Sequence, residues 1–138
     1  PALLILKFVD LDAPAPPPHD TRRELQLATV SDVKAALEFD CPDDRLLVHC
    51  QAGISRSSGI ALAILAARMG AGNEHSAVQE LFRIRPEAVP NLHVVKLADQ
   101  HLARGGRLVE AVMACETPKT EERRRLNRRA YLAYYGCG

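Results

Sequence analysis

The segment from residue 45 to residue 70 constrains the fold most, because it joins three different patterns without a break. The short apolar run "RLLVH" suits a buried β-strand, and the loop "CQAGISR" that follows contains glycine and serine. The next stretch, "SSGIALAILAARMG", is mostly apolar on all sides and closes at Gly70, as a central buried helix would. A strand, a loop and a helix in this order are typical of an α/β fold.

A second apolar run and several helical patterns extend this prediction. "ALLILKFV" at residues 2–9 suits another buried strand, and the proline-rich stretch after it forbids regular structure. Capping and helix-breaking residues predict four further helices. The first begins at Thr29 or Ser31, and the second runs from about Glu74 to Arg85. The third runs from Asn91 to about Arg104, and the fourth, capped by Thr117, covers about 117–135. We therefore expect one domain, residues 1–138, with a central, mainly parallel sheet flanked by helices. Only two strands are evident, which is few for such a sheet.

Composition excludes several function classes. The chain has 138 residues and a net charge of +1, so nothing global favours a nucleic acid partner. It lacks an apolar run long enough to span a membrane, and its opening segment is too short for a signal peptide. The four cysteines, Cys41, Cys50, Cys115 and Cys137, lack the paired spacing of zinc sites. We expect free thiols, no metal, no cofactor and a cytoplasmic location.

The loop between the second strand and its helix carries the chemistry. Gly53 permits a tight turn in which successive backbone N–H groups point inward, and the helix N-terminus reinforces this anion nest. Arg56 can hold two oxygens of a tetrahedral oxyanion. Cys50 would lie beneath the anion, where the positive field favours a thiolate aimed at phosphorus. The backbone donors are expected from Gln51, Ala52, Gly53, Ile54 and Ser55.

Two neighbours complete the predicted catalytic group. His49 could hold the loop or influence the thiol of Cys50, and the Ser57 hydroxyl could assist the departure of the thiolate in a second step. The pattern His49-Cys50, five residues, Arg56-Ser57 resembles the signature of cysteine-dependent protein tyrosine phosphatases, and "VHCQAGISRS" resembles their dual-specificity branch most closely.

The resemblance covers roughly residues 3–104, because "RIRPEAVPNLHVVKLADQHL" at 83–102 is similar to a segment of the family that opens a late helix. Small bacterial members are the most similar. The resemblance implies the cysteine-phosphatase type of α/β fold and a two-step, metal-independent hydrolysis through a phosphocysteine. It also implies that the substrates are proteins that carry phosphotyrosine. Resemblance to the dual-specificity branch adds phosphoserine and phosphothreonine.

The family's general acid is an aspartate on the loop after the preceding strand. Asp10, Asp12 and the more distant Asp20 are the candidates, and we prefer Asp10 because it ends the first strand directly. The proline-rich insertion accounts for the long separation between Asp10 and Cys50. The family normally has strands and a helix before the acid-bearing strand, whereas this chain begins almost at that strand. We therefore expect either that N-terminal strands have been lost or that the fold is a reduced version.

Other functions stay open at this stage. Residues 51–55 carry no positive charge, which favours a phosphoprotein or a small aryl phosphate over a phosphoinositide or an RNA end. A pseudophosphatase that binds phosphate without turnover is a second alternative, and sulfur transfer or arsenate reduction a third. The arginine run at 123–125, with Arg128 and Arg129, is predicted to be a solvated helix face, with an acidic partner as the alternative. The sequence leaves the oligomeric state open.

Overall fold

The computed structural model describes residues 2–14 and 25–136 of the chain. These residues form six helices, which are α1 (Val30–Phe39), α2 (Arg56–Met69), α3 (Glu74–Ile84), α4 (Leu92–His101), α5 (Arg107–Ala114) and α6 (Pro118–Tyr134). Most of the proline-rich stretch lies outside the described residues, as do Asp20 and Cys137.

The caps predicted from the sequence explain where these helices begin. The Thr29 hydroxyl accepts from the N–H of Asp32, and the Asp32 carboxylate accepts from the N–H of Thr29 at 2.7 Å. This reciprocal pair satisfies N–H groups that would otherwise lack a partner at the helix end. Thr117 caps α6 through the N–H of Thr120, and Pro118 takes the first helical position, as predicted.

Helix α2 forms the centre of the molecule and packs against α1, α3 and α4. Its apolar residues are buried on several sides, which confirms the prediction of a central helix. Gly59 lets α4 approach closely, because a Cβ at Gly59 would lie 3.1 Å from the Cβ of Val94 and 3.4 Å from the backbone nitrogen of Asn91. The start of α4 is therefore held beside the loop that precedes α2.

The predicted α/β fold is wrong for the described residues, which contain helices and no strand. Residues 2–9 and 45–50 belong to no helix or strand and do not form a ladder with each other. The N–H of Val9 bonds the carbonyl of Gln26 at 2.9 Å, which is a single link to the chain before α1. Two short segments cannot by themselves pair all their backbone groups, so a sheet does not form.

The apolar composition of these segments suggested strands buried on both faces, whereas each segment has one exposed face. Leu3 and Leu47 are 79% and 84% exposed, while Phe8 and Val48 pack against the core. A cavity of about 690 Å³ is lined by both segments together with α1 and α2. An all-apolar run does not reveal which of its faces is covered, and this misled the prediction of fold class.

A buried polar centre ties the later helices together. The carboxylate of Asp99 accepts from the N–H groups of Gly106, Leu108 and Val109, at 2.7, 2.7 and 3.2 Å. These donors lie at the N-terminal end of α5, where a negative charge is favoured. Within the part of the chain that the structure describes, no helix has both the length and the apolarity needed to cross a membrane.

Candidate active site

The loop from Cys50 to Ser55 is held by its carbonyl groups. Three of these carbonyls accept hydrogen bonds from the surrounding scaffold: Gly53 from Arg85 Nε at 3.0 Å, Ile54 from the N–H of Val89 at 2.9 Å, and Ser55 from the N–H of Asn91 at 3.1 Å. The hydroxyl of Ser58 also donates to the carbonyls of Ile54 and Ser55. These bonds fix the backbone of the second half of the loop, residues 53–55.

Gly53 gives the loop its turn. Its φ of +67° lies in the left-handed region, which a residue with a side chain rarely adopts. The N–H groups of Gly53, Ile54 and Ser57 all form hydrogen bonds with the sulfur of Cys50. The turn therefore directs backbone donors toward the sulfur of Cys50.

The thiol of Cys50 is set for ionisation by these donors. Burial raises its pKa, but hydrogen bonds from the side chain and backbone of Ser57 and from the N–H groups of Gly53 and Ile54 outweigh burial and lower the pKa to about 7. The Ser57 oxygen lies 3.2 Å from the Cys50 sulfur. About half of the Cys50 side chains are therefore thiolate near neutral pH, the form that acts as a nucleophile.

Arg56 lies at the first position of α2 and lines a cavity of about 310 Å³ together with Cys50. One terminal nitrogen of its guanidinium donates to the carbonyl of Phe8 at 3.3 Å. Its Nε is buried and has no hydrogen-bond partner among the described residues. A buried donor without a partner is costly, and an oxyanion bound in the cavity would supply the missing acceptor.

Asp10 lines the same cavity and is held on both carboxylate oxygens. Oδ1 accepts from the hydroxyl of Ser55 at 2.6 Å and from Asn91 Nδ2 at 2.9 Å, and Oδ2 accepts from Asn127 Nδ2 at 3.1 Å. The first of these bonds links the candidate acid directly to the loop that follows Cys50. Asn127 Nδ2 also donates to the Asp10 carbonyl at 3.3 Å.

Asp12 takes part in a different contact. Its carboxylate pairs with Arg128 at 3.5 Å, and Arg128 also donates to the carbonyls of Ala13 and Pro14 at 3.1 and 2.9 Å. Asp12 thus belongs to the attachment between the segment after Asp10 and helix α6. Both aspartates line the cavity, but only Asp10 contacts the loop.

The predicted site residues are not all in equivalent places. The loop residues Gln51, Ala52, Ile54 and Ser55 line the cavity with Cys50, whereas Ser57 is buried behind the sulfur. His49 is exposed and lines the larger cavity, which Cys50, Arg56 and Ser57 also line. The structure therefore places His49 outside the cavity that contains Asp10.

Helix α6 forms a wall of the site that the sequence analysis missed. Residues at helical spacing on one face of α6 line the cavity: Arg123, Arg124, Asn127, Arg128 and Tyr131. Burial raises the pKa of Tyr131; the positive charge of Arg56 opposes this, and the negative charges of Asp10 and Cys50, which line the same cavity, add to it. The spacing of these polar residues at intervals of three and four could have indicated that they share one face of α6. It could not show what that face contacts, because the other residues of the cavity lie far away in the sequence.

Asn91 was predicted to be a helix cap, and it has a second role. Its Oδ1 accepts from the N–H of Val94 at 3.1 Å, which confirms the cap, while its Nδ2 donates to Asp10 and to the carbonyl of Leu11. The side chain is 2% exposed. Asn91 therefore connects the start of α4 to the candidate acid.

Cys41, Cys50 and Cys115 are free thiols. No three histidine, cysteine, aspartate or glutamate side chains among the described residues are grouped as metal ligands would be. The chain matches no protein-family model, and no curated protein and no solved structure shows significant similarity to it.

Proposed function

We propose that this chain is a cysteine-dependent phosphatase that hydrolyses phosphate monoesters through a phosphocysteine, as its resemblance to the dual-specificity branch of the protein tyrosine phosphatases implies. One observation carries the proposal: a cysteine with a pKa of about 7 shares a cavity with an arginine whose buried Nε has no partner among the described residues. A nucleophile and a guanidinium donor in one cavity are what phosphoryl transfer to sulfur requires.

In the first step the Cys50 thiolate attacks phosphorus, an S–P bond forms and the bond from phosphorus to the leaving oxygen breaks. Arg56 and the N–H groups of the loop take up the charge on the phosphoryl oxygens. Asp10 gives a proton to the leaving oxygen, so that it departs as an alcohol or a phenol. The hydrogen bond between Ser55 and Asp10 supports this role, because it joins the carboxyl group to the loop that follows Cys50.

In the second step water attacks phosphorus and the S–P bond breaks. Asp10, now ionised, accepts the proton from the water, and inorganic phosphate leaves. Cys50 returns to the thiolate, and Ser57 Oγ, which accepts from the Cys50 thiol in the structure, turns its own hydrogen to donate to the sulfur. The cycle uses groups of this chain and water, and we propose that it needs no cofactor.

The proposed substrates are phosphorylated proteins, with phosphotyrosine first and phosphoserine or phosphothreonine second, and small aryl phosphates. The neutral side chains of residues 51–55 favour these over phosphoinositides and RNA ends, and a cytoplasmic location fits free thiols. A pseudophosphatase that only binds phosphate is the alternative, and turnover decides between the two.

Hydrolysis of p-nitrophenyl phosphate tests the proposal. We expect turnover by the wild type and none by Cys50→Ser. Arg56→Lys should keep the charge but lose at least about a hundredfold in kcat/KM, because lysine cannot reproduce the bidentate contact. Activity of Cys50→Ser at the wild-type level would refute the covalent mechanism, and an inactive wild type that still binds phosphate would establish the pseudophosphatase.

The choice of general acid is tested with a poor leaving group. We expect Asp10→Ala to lose about a hundredfold in kcat on phenyl phosphate and much less on p-nitrophenyl phosphate, whose leaving group needs less protonation. Asp12→Ala is the matched control on the same segment. If Asp12→Ala shows this dependence on the leaving group and Asp10→Ala does not, Asp12 is the acid.

A further inference from the structure

The cavity above Cys50 contains more positive charge than one phosphate needs. Four arginines line it, which are Arg56, Arg123, Arg124 and Arg128. The carboxylates that line it are Asp10 and Asp12. The side chains of loop residues 51–55 are uncharged, but helix α6 adds three arginines to the same cavity.

Two of these arginines are already paired within the protein. Arg124 is only 12% exposed and pairs with Glu116. Arg128 pairs with Asp12 and donates to two backbone carbonyls. Both guanidinium groups thus serve to attach α6, and their charges are balanced by carboxylates.

Arg123 differs from both. It is exposed, lines the cavity, and forms no ion pair or side-chain hydrogen bond with any described residue. With Arg56 at the loop and Arg123 on α6, the cavity offers two guanidinium groups that lack a carboxylate partner. Asp10 does not neutralise either one, because its described partners are the uncharged side chains Ser55, Asn91 and Asn127.

We propose that Arg123 forms a second anion subsite, which binds a carboxylate of an acidic residue beside the phosphorylated residue of a protein substrate. The inference rests on the proposed function, since it takes the phosphate to bind at Cys50 and Arg56. A neighbouring residue is the favoured source of the second anion, because Arg123 is exposed and can meet groups that do not enter the cavity. Arg123 is thus a specificity-determining residue.

A double-mutant cycle tests the subsite. One phosphotyrosine peptide has glutamate on both sides of the phosphotyrosine, and its partner has glutamine there. We expect the wild type at low ionic strength to favour the glutamate peptide by about three- to fivefold in kcat/KM, and Arg123→Gln to abolish the preference. Arg129→Gln is the matched control, because Arg129 is exposed on the same helix and does not line the cavity.

Binding of the two peptides to Cys50→Ser, followed by fluorescence anisotropy, gives a readout that does not depend on turnover. The same preference, lost in the Cys50→Ser, Arg123→Gln double variant, would support the subsite even if the wild type were inactive. If Arg123→Gln affects the two peptides equally, or if Arg129→Gln removes the preference as well, the arginine acts only through general charge and the proposal is overturned.

Discussion

The reactivity of Cys50 depends on a balance between burial and hydrogen bonding. Burial alone would hold the thiol in its neutral form, and four hydrogen bonds from Ser57, Gly53 and Ile54 reverse that effect. Each of these donors lies within seven residues of the sulfur. A short stretch of sequence therefore carries almost all of the chemistry that activates the nucleophile.

Alkylation of Cys50 by iodoacetamide should rise with pH through a midpoint near pH 7, because the reagent reacts with the thiolate and the pKa is about 7. The rate rises with pH because below the midpoint the thiol is protonated and reacts slowly with the reagent. Mass spectrometry of the Cys50 peptide measures the rate, and exposed Cys41 in the same sample serves as the reference for the reagent.

Ser57→Ala should move this midpoint upward by about one pH unit, because one hydrogen bond to a charged group contributes about 1.5 kcal/mol. Ser31→Ala is the matched control, since Ser31 is exposed on α1. An unchanged midpoint in Ser57→Ala would show that the backbone donors alone lower the pKa of Cys50.

The residues of the loop were predictable, and the partners of the candidate acid were not. Gly53, Arg56 and Ser57 stand at characteristic distances from Cys50 in the sequence, so a local pattern identifies them. Asp10 meets Asn91 and Asn127, which are 81 and 117 residues away. Such contacts depend on how α4 and α6 pack, and no local pattern contains that information.

Among the elements, α6 is unusual because none of its residues is fully buried. Its hydrogen bonds and ion pairs with the rest of the molecule are made by Arg124, Asn127 and Arg128. The last two reach the segment that carries Asp10 and Asp12. The position of α6 and the position of the candidate acid are therefore coupled. The arginine run of α6 was predicted to be a solvated face, whereas part of it lines the site.

Asn127→Ala should lower kcat on phenyl phosphate by about tenfold, because it removes one of the side-chain hydrogen bonds that orient the Asp10 carboxyl group. The effect on p-nitrophenyl phosphate should be smaller, as for any change that acts through the acid. Asn73→Ala, a change of the same type at a residue distant from the cavity, should leave both rates unchanged. Equal losses on the two substrates in Asn127→Ala would contradict a positioning role.

The helices themselves were predicted better than the extended segments. Caps such as Thr29 and Thr117 and breakers such as Gly70 and Pro86 act over a few residues, so the sequence reveals them. Whether an apolar run pairs in a sheet depends on other segments that must lie beside it. The runs at 2–9 and 45–50 have the composition of strands, but the described residues give them no ladder.

At the scale of the whole molecule, stability depends on a helical core around α2 and on a buried polar centre. Asp99 is 4% exposed, and its carboxylate satisfies three backbone N–H groups at the start of α5. Leu108 and Val112 of α5 are buried in the same core. The site loop is supported from this core, because α2 and α4 begin beside it.

Asp99→Asn should lower the free energy of unfolding by about 3 kcal/mol, because an amide cannot accept from all three N–H groups and leaves buried donors unsatisfied. Urea unfolding followed by circular dichroism measures the loss. Glu110→Gln removes an exposed charge from the first turn of the same helix and should cost only about 0.5 kcal/mol. Similar losses in both variants would show that Asp99 acts only through its charge.

The central claim is that phosphate passes through the sulfur of Cys50, and trapping of the intermediate tests it most directly. Rapid quenching during turnover of p-nitrophenyl phosphate, followed by mass spectrometry, should find one phosphoryl group on the Cys50 peptide. The adduct should accumulate in Ser57→Ala, where the thiolate leaves more slowly, and be absent from Cys50→Ser. Sustained turnover without a phosphoryl group on Cys50 in either the wild type or Ser57→Ala would contradict the account.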